Sequence, residues 1–320
     1  MAALLLAACR PQAPVTTPAP DTSAPPTPIK VGYLPVSTSL PNWLAMSEGF
    51  TKQRGLAVTM ERFANADLML VALYNGDIQA TSVCADEPIL AAAARGQDSV
   101  RIYLQEILTL DRTFDAIIVK KNSPIQKIKD LEGRSIACFP GSQLREYLKL
   151  IFESAGVDGT KVKVVELPPP NMLPSLTAGT VDACFALEPT ITIAVEKGLG
   201  RIIEASPIAR HIGKGQPICA ASYCLSTAWA KAQPAAAQAY VEAVYEALDF
   251  IERDYPKAAA LYPSFTPIPP ELAGKVVITK FAKADAPDLA GLRREIEVLT
   301  AAGTIQGAFD PERLIYRGGK

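Results

Sequence analysis

Short runs of alternating apolar and polar residues, separated by helical segments, follow one another along the first half of the chain. Residues 29–34 and 56–63 alternate as strands. Residues 41–54 between them carry apolar side chains at helical spacing, with Gly49 and Gly55 as stop signals. Further strands are predicted at 78–84, 100–108 and 114–120, with helices at 66–74 and 87–94. This alternation predicts an α/β fold with a parallel-rich sheet.

The same pattern restarts after residue 131. Strands are predicted at 134–138, 161–167 and 181–186, and helices at 143–155, 172–178 and 190–197. A strand at 218–226 can return the chain to the first unit, and the sequence from residue 227 onward is mostly helical, with a loop-rich tail at 313–320. We therefore expect two lobes, formed by residues 29–115 with 219–320 and by residues 116–218, and a ligand cleft between them.

The N-terminus has a separate organisation. Residues 1–8 are apolar, and the run Leu6-Ala7-Ala8-Cys9 resembles the lipobox that precedes a lipidated cysteine in bacterial lipoproteins. This signal segment is short and lacks a basic start, so we expect the natural start upstream; a chance apolar start is the alternative. Residues 9–28, rich in Pro and Thr, predict a disordered tether behind a lipid on Cys9. No later apolar run is long enough for a transmembrane helix.

Composition and charge narrow the function classes. The 320 residues are 49% hydrophobic and carry 32 basic and 33 acidic side chains, which does not indicate a nucleic-acid partner. The single histidine, His211, excludes a multi-histidine metal site. The cysteines form no C-x-x-C pair, and five remain when Cys9 is set apart, so a fully paired disulfide framework is not expected. A Cys219–Cys224 disulfide stays open, and we predict no cofactor and no metal.

A series of short motifs resembles a known family. Their order and spacing are similar to those of type II periplasmic solute-binding proteins of ABC importers, in the group for sulfonates, nitrate, taurine and the thiamine pyrimidine. The resemblance covers residues 29–299. The motifs are Gly32-Tyr33-x-Pro35, Glu48-Gly49-Phe50, Gly76-Asp77-Ile78, Asp130-Leu131-Glu132-Gly133-Arg134, Phe139-Pro140-Gly141-Ser142, Ala178-Gly179-Thr180-Val181-Asp182-Ala183 and Glu188-Pro189.

The resemblance implies a two-lobe fold that closes over a small molecule, with the segments 114–120 and 218–226 as hinge candidates. It also implies a monomeric lipoprotein at the outer face of the cytoplasmic membrane. Such a protein passes its ligand to an ABC permease that works with an ATPase. An enzyme related to thiamine-pyrimidine synthases is disfavoured, because the only histidine lies in a predicted loop at 209–213 and no cysteine cluster is present. A ligand-sensing or adhesive lipoprotein is a further alternative.

In such folds, loops at the carboxyl ends of strands and the N-termini of helices contact the ligand. Trp43 offers a plate for a planar ring, Arg112 a forked donor for a carboxylate or sulfonate, and Gly141 with Ser142 a helix start where backbone can approach a ligand. The candidate ligand-binding residues are Ser37, Thr38, Ser39, Asn42, Trp43, Asp86, Arg112, Gly141, Ser142 and Glu188.

Each candidate has a structural alternative. Trp43 can be a core residue, the run Ser37, Thr38 and Ser39 can be turn residues, and Asp86 can be a helix cap. Arg112 can be solvated or ion-paired, and Glu188 can serve the fold.

The candidate loops contain more acids than bases, since Asp86, Asp111 and Glu188 stand against Arg112. We therefore expect a neutral or amino-bearing heterocycle, such as riboflavin, another vitamin or the thiamine pyrimidine. An alkanesulfonate, taurine or nitrate is the alternative, because helix N-termini alone can bind anions.

Overall fold

Two mixed β-sheets organise the protein, whose computed structural model describes residues 25–318. The first sheet has six strands in the order β11-β4-β10-β3-β1-β2. These strands are β1 (Thr27–Tyr33), β2 (Leu56–Arg62), β3 (Ala80–Ala85), β4 (Val100–Leu108), β10 (Ile218–Ser226) and β11 (Lys280–Lys283). The first strand therefore includes two residues of the predicted tether, Thr27 and Pro28.

The second sheet has five strands in the order β7-β6-β8-β5-β9. They are β5 (Asp115–Lys120), β6 (Ser135–Cys138), β7 (Lys163–Glu166), β8 (Ala183–Leu187) and β9 (Gly200–Ala205). The chain thus leaves the first sheet after β4 and returns to it with β10. We call the six-stranded sheet with its helices the first lobe, and the five-stranded sheet with its helices the second lobe.

The sheets are mixed rather than mainly parallel. Strands β1, β2 and β3 pair in parallel, as do β6, β7 and β8. The strands that bring the chain in from the other lobe, β5 and β10, run antiparallel to their neighbours. Two consecutive strands that pair in parallel need a helical crossover within their lobe. A strand that arrives from the opposite lobe needs no such crossover and enters the sheet in the reverse direction.

Eleven α-helices of the described region cover the sheets. They are α1 (Leu40–Ser47), α2 (Phe50–Gln53), α3 (Ala66–Asn75), α4 (Asp86–Ala94), α5 (Ser142–Ser154), α6 (Pro169–Ala178), α7 (Thr190–Glu196), α8 (Thr227–Ala232), α9 (Pro234–Arg253), α10 (Tyr255–Ala259) and α11 (Leu289–Ala301). No helix in this part of the chain combines the length and the apolar character that crossing a membrane requires.

The structure confirms most of the strands and helices that the periodicity predicted. The periodicity missed two strands that depend on partners distant in sequence. The edge strands β9 and β11 were not predicted; they are short, and each pairs with a strand far away in sequence. The helix predicted at 41–54 is two helices, because Gly49 has a positive φ of 78° that ends α1. The predicted loop around His211 is a π-helical turn, Ile208–Ile212.

An aromatic cluster packs the start of the chain against its C-terminal half. Trp43 is fully buried, with its ring stacked on Phe265 at 4.7 Å between centroids. Tyr33 and Tyr262 meet the same ring edge-on. Offset stacked and edge-to-face pairs are favourable beyond the area they bury. The cluster therefore fixes α1 and the loop before it.

The five cysteines in the described range are buried free thiols, so Cys219 and Cys224 do not pair. Their spacing within one strand, β10, explains this, since disulfide geometry rarely fits so short a separation in extended backbone. Cys9, the signal segment and most of the predicted tether lie outside the described residues.

Gly291 allows α11 to pack closely on β10. A Cβ at this position would lie 3.0 Å from the backbone nitrogen of Cys219. We predict that Gly291→Ala lowers the free energy of unfolding by about 1–3 kcal/mol through overpacking. Gly274→Ala is the matched control, because a Cβ there meets nothing within 4 Å. Urea denaturation of both variants measures the difference, and equal stabilities would contradict this packing.

Candidate functional site

A cavity of about 70 Å³ lies between the two lobes. It has room for more than one water molecule. The first lobe contributes the loop after β1, the start of α3, the end of β3 and parts of β4 and β10. The second lobe contributes the β6–α5 turn and the end of β8. The residues of both lobes that line the cavity are Leu34, Val36, Thr38, Ala66, Asp67, Val83, Cys84, Ala85, Glu106, Leu108, Phe114, Phe139, Pro140, Gly141, Ser142, Gln143, Leu144, Leu187, Ile208, Ala220 and Ala221.

The walls are mainly apolar. Aliphatic and aromatic side chains from both lobes form most of the surface, as in sites that bind the body of a small organic molecule. The ionisable carboxyl groups in the lining are those of Asp67 and Glu106, and the described lining contains no lysine, arginine or histidine. The cavity therefore combines an apolar interior with an excess of acid.

The first turn of α5 seals the cavity against the first lobe. Ser142 N–H donates to Asp67 Oδ2 at 3.1 Å, and Ser142 Oγ lies 3.1 Å from Asp67 Oδ1 and 2.7 Å from Glu87 Oε2. Burial raises the pKa of Glu87. Gly141 precedes this turn with φ of 147°, a conformation that favours glycine. No atom lies within 4 Å of a Cβ built at Gly141, so backbone conformation, not close approach, requires the glycine here.

Gln143 makes a second bridge between the lobes. Its Oε1 accepts from Glu87 N–H at 2.7 Å, and its Nε2 donates to the Ala220 carbonyl at 2.7 Å. Ser37 N–H also donates to the Glu188 carbonyl across the cleft at 3.1 Å. Gln143 was not among the predicted ligand contacts, although an amide side chain at the predicted start of the helix 143–155 was the signal that could have found it.

Glu106 is the other residue that sequence reasoning missed. It lies on β4, is 2% exposed, and its Oε1 has no hydrogen-bond partner within residues 25–318. Burial, assisted by the charges of Asp86 and Asp115, raises the pKa of Glu106 well above its usual range, and the Thr38 hydroxyl offsets part of the rise. A glutamate inside the otherwise apolar strand 100–108 was the available signal.

Three of the predicted ligand contacts line the cavity: Thr38, Gly141 and Ser142. Among the described residues, Thr38 Oγ1 forms no hydrogen bond of normal geometry, although its hydroxyl lies near enough to Glu106 to lower the pKa of that acid. The Thr38 carbonyl accepts from the Tyr223 hydroxyl. The cavity lining thus brings together one residue of the first predicted loop and the predicted helix start.

The other residues of the first loop serve its own conformation. Ser37 Oγ donates to the Val277 carbonyl at 3.2 Å, and Ser39 Oγ donates to the Leu34 carbonyl at 2.7 Å. Asn42 Nδ2 donates to the hydroxyls of two buried tyrosines, Tyr103 and Tyr240. Trp43 belongs to the aromatic cluster and does not line the cavity, which favours the core alternative over a stacking plate.

Asp86 lies in a buried polar cluster beside the cavity. Cys219 Sγ donates to Asp86 Oδ2 at 3.2 Å, and burial raises the pKa of Asp86 to about 6. The donor atoms of Asp86, Cys219 and Glu295 lie within 4.8 Å of one another, a set that could hold a metal ion. Burial also raises the pKa of Glu295 well above its usual range, which favours its neutral form and lowers the negative charge of the cluster.

Arg112 and Glu188 are occupied by other parts of the protein. Arg112 Nη1 donates to the carbonyls of Ile278 and Thr279, both at 3.2 Å, and Arg112 does not line the cavity. Glu188 accepts from Thr192 N–H at 3.0 Å and from Thr192 Oγ1 at 2.8 Å. Burial raises the pKa of Glu188 to about 7. These contacts favour the structural alternative for both residues.

Comparisons with known proteins place this geometry in a family. Residues 22–262 match the NMT1-like family. A relative from Escherichia coli (strain K12), named for binding aliphatic sulfonates, is 29% identical over 147 residues, which are 46% of this chain and 45% of the relative. The nitrate/nitrite binding protein NrtA of Nostoc sp. (strain PCC 7120) is 23% identical over 270 residues, or 76% of this chain and 59% of that protein.

The crystal structure of the periplasmic aliphatic sulphonate binding protein SsuA from Escherichia coli superposes with a TM-score of 0.70 at 20% identity. The superposition covers 92% of this chain and 93% of that structure. The matches span between 35% and 59% of the length of the curated relatives. The family match covers most of the chain, and the likeness to SsuA extends to both lobes. The chain therefore belongs to the NMT1-like family and has the two-lobe fold of type II periplasmic binding proteins.

Proposed function

We propose that this protein is the solute-binding component of an ABC importer and captures a small organic nutrient by closing its lobes. The observation that carries this proposal is the cavity between the lobes, which side chains from both sides line and which the first turn of α5 seals. A binding site that closure completes releases its ligand when the lobes separate, which is what delivery to a transporter requires.

The relatives support the transport role. Their names include proteins that bind aliphatic sulfonates or nitrate, and the nitrate import ATP-binding protein NrtC of Synechocystis sp. (strain PCC 6803). We propose in addition that the chain acts as a monomer, is anchored through Cys9 at the outer face of the cytoplasmic membrane, and docks on a permease. In this role it is a carrier and performs no catalysis.

For the ligand, we propose a compact heterocycle with an apolar body and a hydrogen-bond-donating group. Vitamins and their precursors, such as riboflavin or the thiamine pyrimidine, belong to this class. The apolar walls suit the body of such a molecule, and Glu106 offers an acceptor to its donor group.

An alkanesulfonate, taurine or nitrate is the second candidate, and the names of the relatives favour it. The local geometry argues against it. An anion would need the N–H groups at the start of α5, where the Asp67 carboxylate already accepts from Ser142 N–H. No basic side chain of the described lining could replace them.

Lobe closure should depend on Gln143. We predict that Gln143→Leu opens the protein, because closure would then bury the N–H of Glu87 and the carbonyl of Ala220 without partners, at a cost of roughly 1–3 kcal/mol. Small-angle X-ray scattering should show a larger radius of gyration than in the wild type. Lys149→Ala, on the exposed side of α5, is the control and should scatter like the wild type. A compact Gln143→Leu variant would show that this bridge does not hold the lobes.

A ligand screen separates the two candidate classes. We expect riboflavin, thiamine or the thiamine pyrimidine to raise the melting temperature of the purified chain, because a ligand that binds only the folded state stabilises it by mass action. Taurine, alkanesulfonates and nitrate should give no shift at equal concentration. Thermal-shift assays measure both sets, and a shift with anions alone would reject the heterocycle and retain the transport role.

A further inference from the structure

We infer that the ligand of this cavity carries a positively charged nitrogen, a protonated amine or amidinium, that pairs with the carboxylate of Glu106. This inference rests on the proposed solute-binding function and names the charge class of the solute. Glu106 is then the specificity-determining residue of the site.

The first argument is the incomplete hydrogen bonding of Glu106. Its side chain lines the cavity, is almost fully buried, and leaves Oε1 without a partner. Asp86, Asp115 and Glu295 also leave one buried oxygen without a partner, but each accepts a hydrogen bond on the other oxygen, from the Cys219 thiol, Ile208 N–H and the Tyr147 hydroxyl respectively. Among the described residues, neither oxygen of Glu106 accepts a hydrogen bond of normal geometry. A buried carboxyl oxygen without a donor destabilises a protein unless a bound molecule supplies the partner.

The second argument is the sign of the surrounding charge. The charges of Asp86 on α4 and Asp115 on β5 raise the pKa of Glu106, and the Thr38 hydroxyl lowers it. Glu106 in turn raises the pKa of Tyr223 on β10. Asp67 is the other acid of the lining, and no basic side chain of the described lining compensates any of these carboxyls. A cavity with low-dielectric walls and acids alone attracts a cation and repels an anion.

The third argument is that a cation removes the cost of burying the charge. In the empty protein, the raised pKa of Glu106 means that a proton neutralises it. When a cationic nitrogen binds, Glu106 releases that proton to solvent and the charged pair replaces the neutral acid. The apolar walls hold the rest of the ligand and exclude water from the pair, which strengthens the attraction.

The inference can be tested first without any ligand. Glu106→Gln should raise the melting temperature of the empty protein by about 2–4 °C, since it removes a buried acid that the fold does not satisfy. Because burial raises the folded pKa of Glu106, the wild type loses stability as the pH rises above the unfolded value, so the advantage of the variant should grow from about pH 5 to about pH 8.

The second test uses matched probes on one apolar body. The aminomethyl, hydroxymethyl and sulfonatomethyl derivatives of benzene and of pyrimidine keep one ring body each and carry a positive, a neutral and a larger negative group toward Glu106. We expect the amines to shift the melting temperature of the wild type, and Glu106→Gln to weaken their binding at least tenfold in calorimetry. The alcohols and sulfonates should bind more weakly than the amines.

Two results would overturn the inference. One is a lower melting temperature for ligand-free Glu106→Gln, which would mean that the carboxyl supports the fold. The other is binding of sulfonates or alcohols in preference to amines, unchanged in Glu106→Gln; this would leave the carrier function standing and reject only the cation. Failure of the proposed binding function would show differently: none of the amines, alcohols or sulfonates would shift the melting temperature of the wild type.

Discussion

The hydrogen bonds that the first turn of α5 makes across the cleft are the interaction on which the site depends. Ser142 bonds to Asp67, and Gln143 bridges Glu87 and Ala220, so one short turn of the second lobe contacts α3, α4 and β10 of the first. Without these bonds, the cavity would be an open groove between two sheets. They are polar contacts that water can replace, which suits an interface that opens and closes.

The same turn restricts what the cavity can bind. A helix N-terminus normally offers free N–H groups to an anion, but here an internal carboxylate occupies the position. Apart from Thr38, the remaining surface is apolar or acidic, and Glu106 is the more deeply buried of its two acids. Two relatives are named for binding aliphatic sulfonates and nitrate or nitrite, whereas the described cavity lining of this chain has two acids and no basic side chain.

Most of the fold was predictable from the sequence because its strands and helices have strong periodicity. The edge strands β9 and β11 were not, since a four- or six-residue strand at a sheet edge is stabilised by its distant neighbour rather than by its own pattern. One helix was predicted at 41–54, although Gly49 was recognised as a stop signal; the structure has two helices that Gly49 separates.

The site was less predictable, for a related reason. Polar residues in loops indicate a ligand only if their donors and acceptors are unoccupied. The side chains of Ser37, Ser39, Asn42 and Arg112 donate to other groups of the protein. The opposite case is Glu106, which lies within the predicted strand 100–108 and was not among the candidate ligand contacts. No local pattern reports whether a side chain finds a partner 50 or 200 residues away.

The amino-acid sequence alone determined the α/β class, the restart of the pattern after residue 131 and the turn at Gly141-Ser142 where a helix begins beside a strand end. These features follow from local periodicity and from the backbone preferences of glycine. Tertiary structure decided that Trp43 packs in the core, that Asp67 occupies the helix start, and that Glu106 reaches the cavity with an unpaired oxygen. Burial and hydrogen-bond partners are properties of the packed chain, and they alone determine which polar groups remain free to bind a ligand.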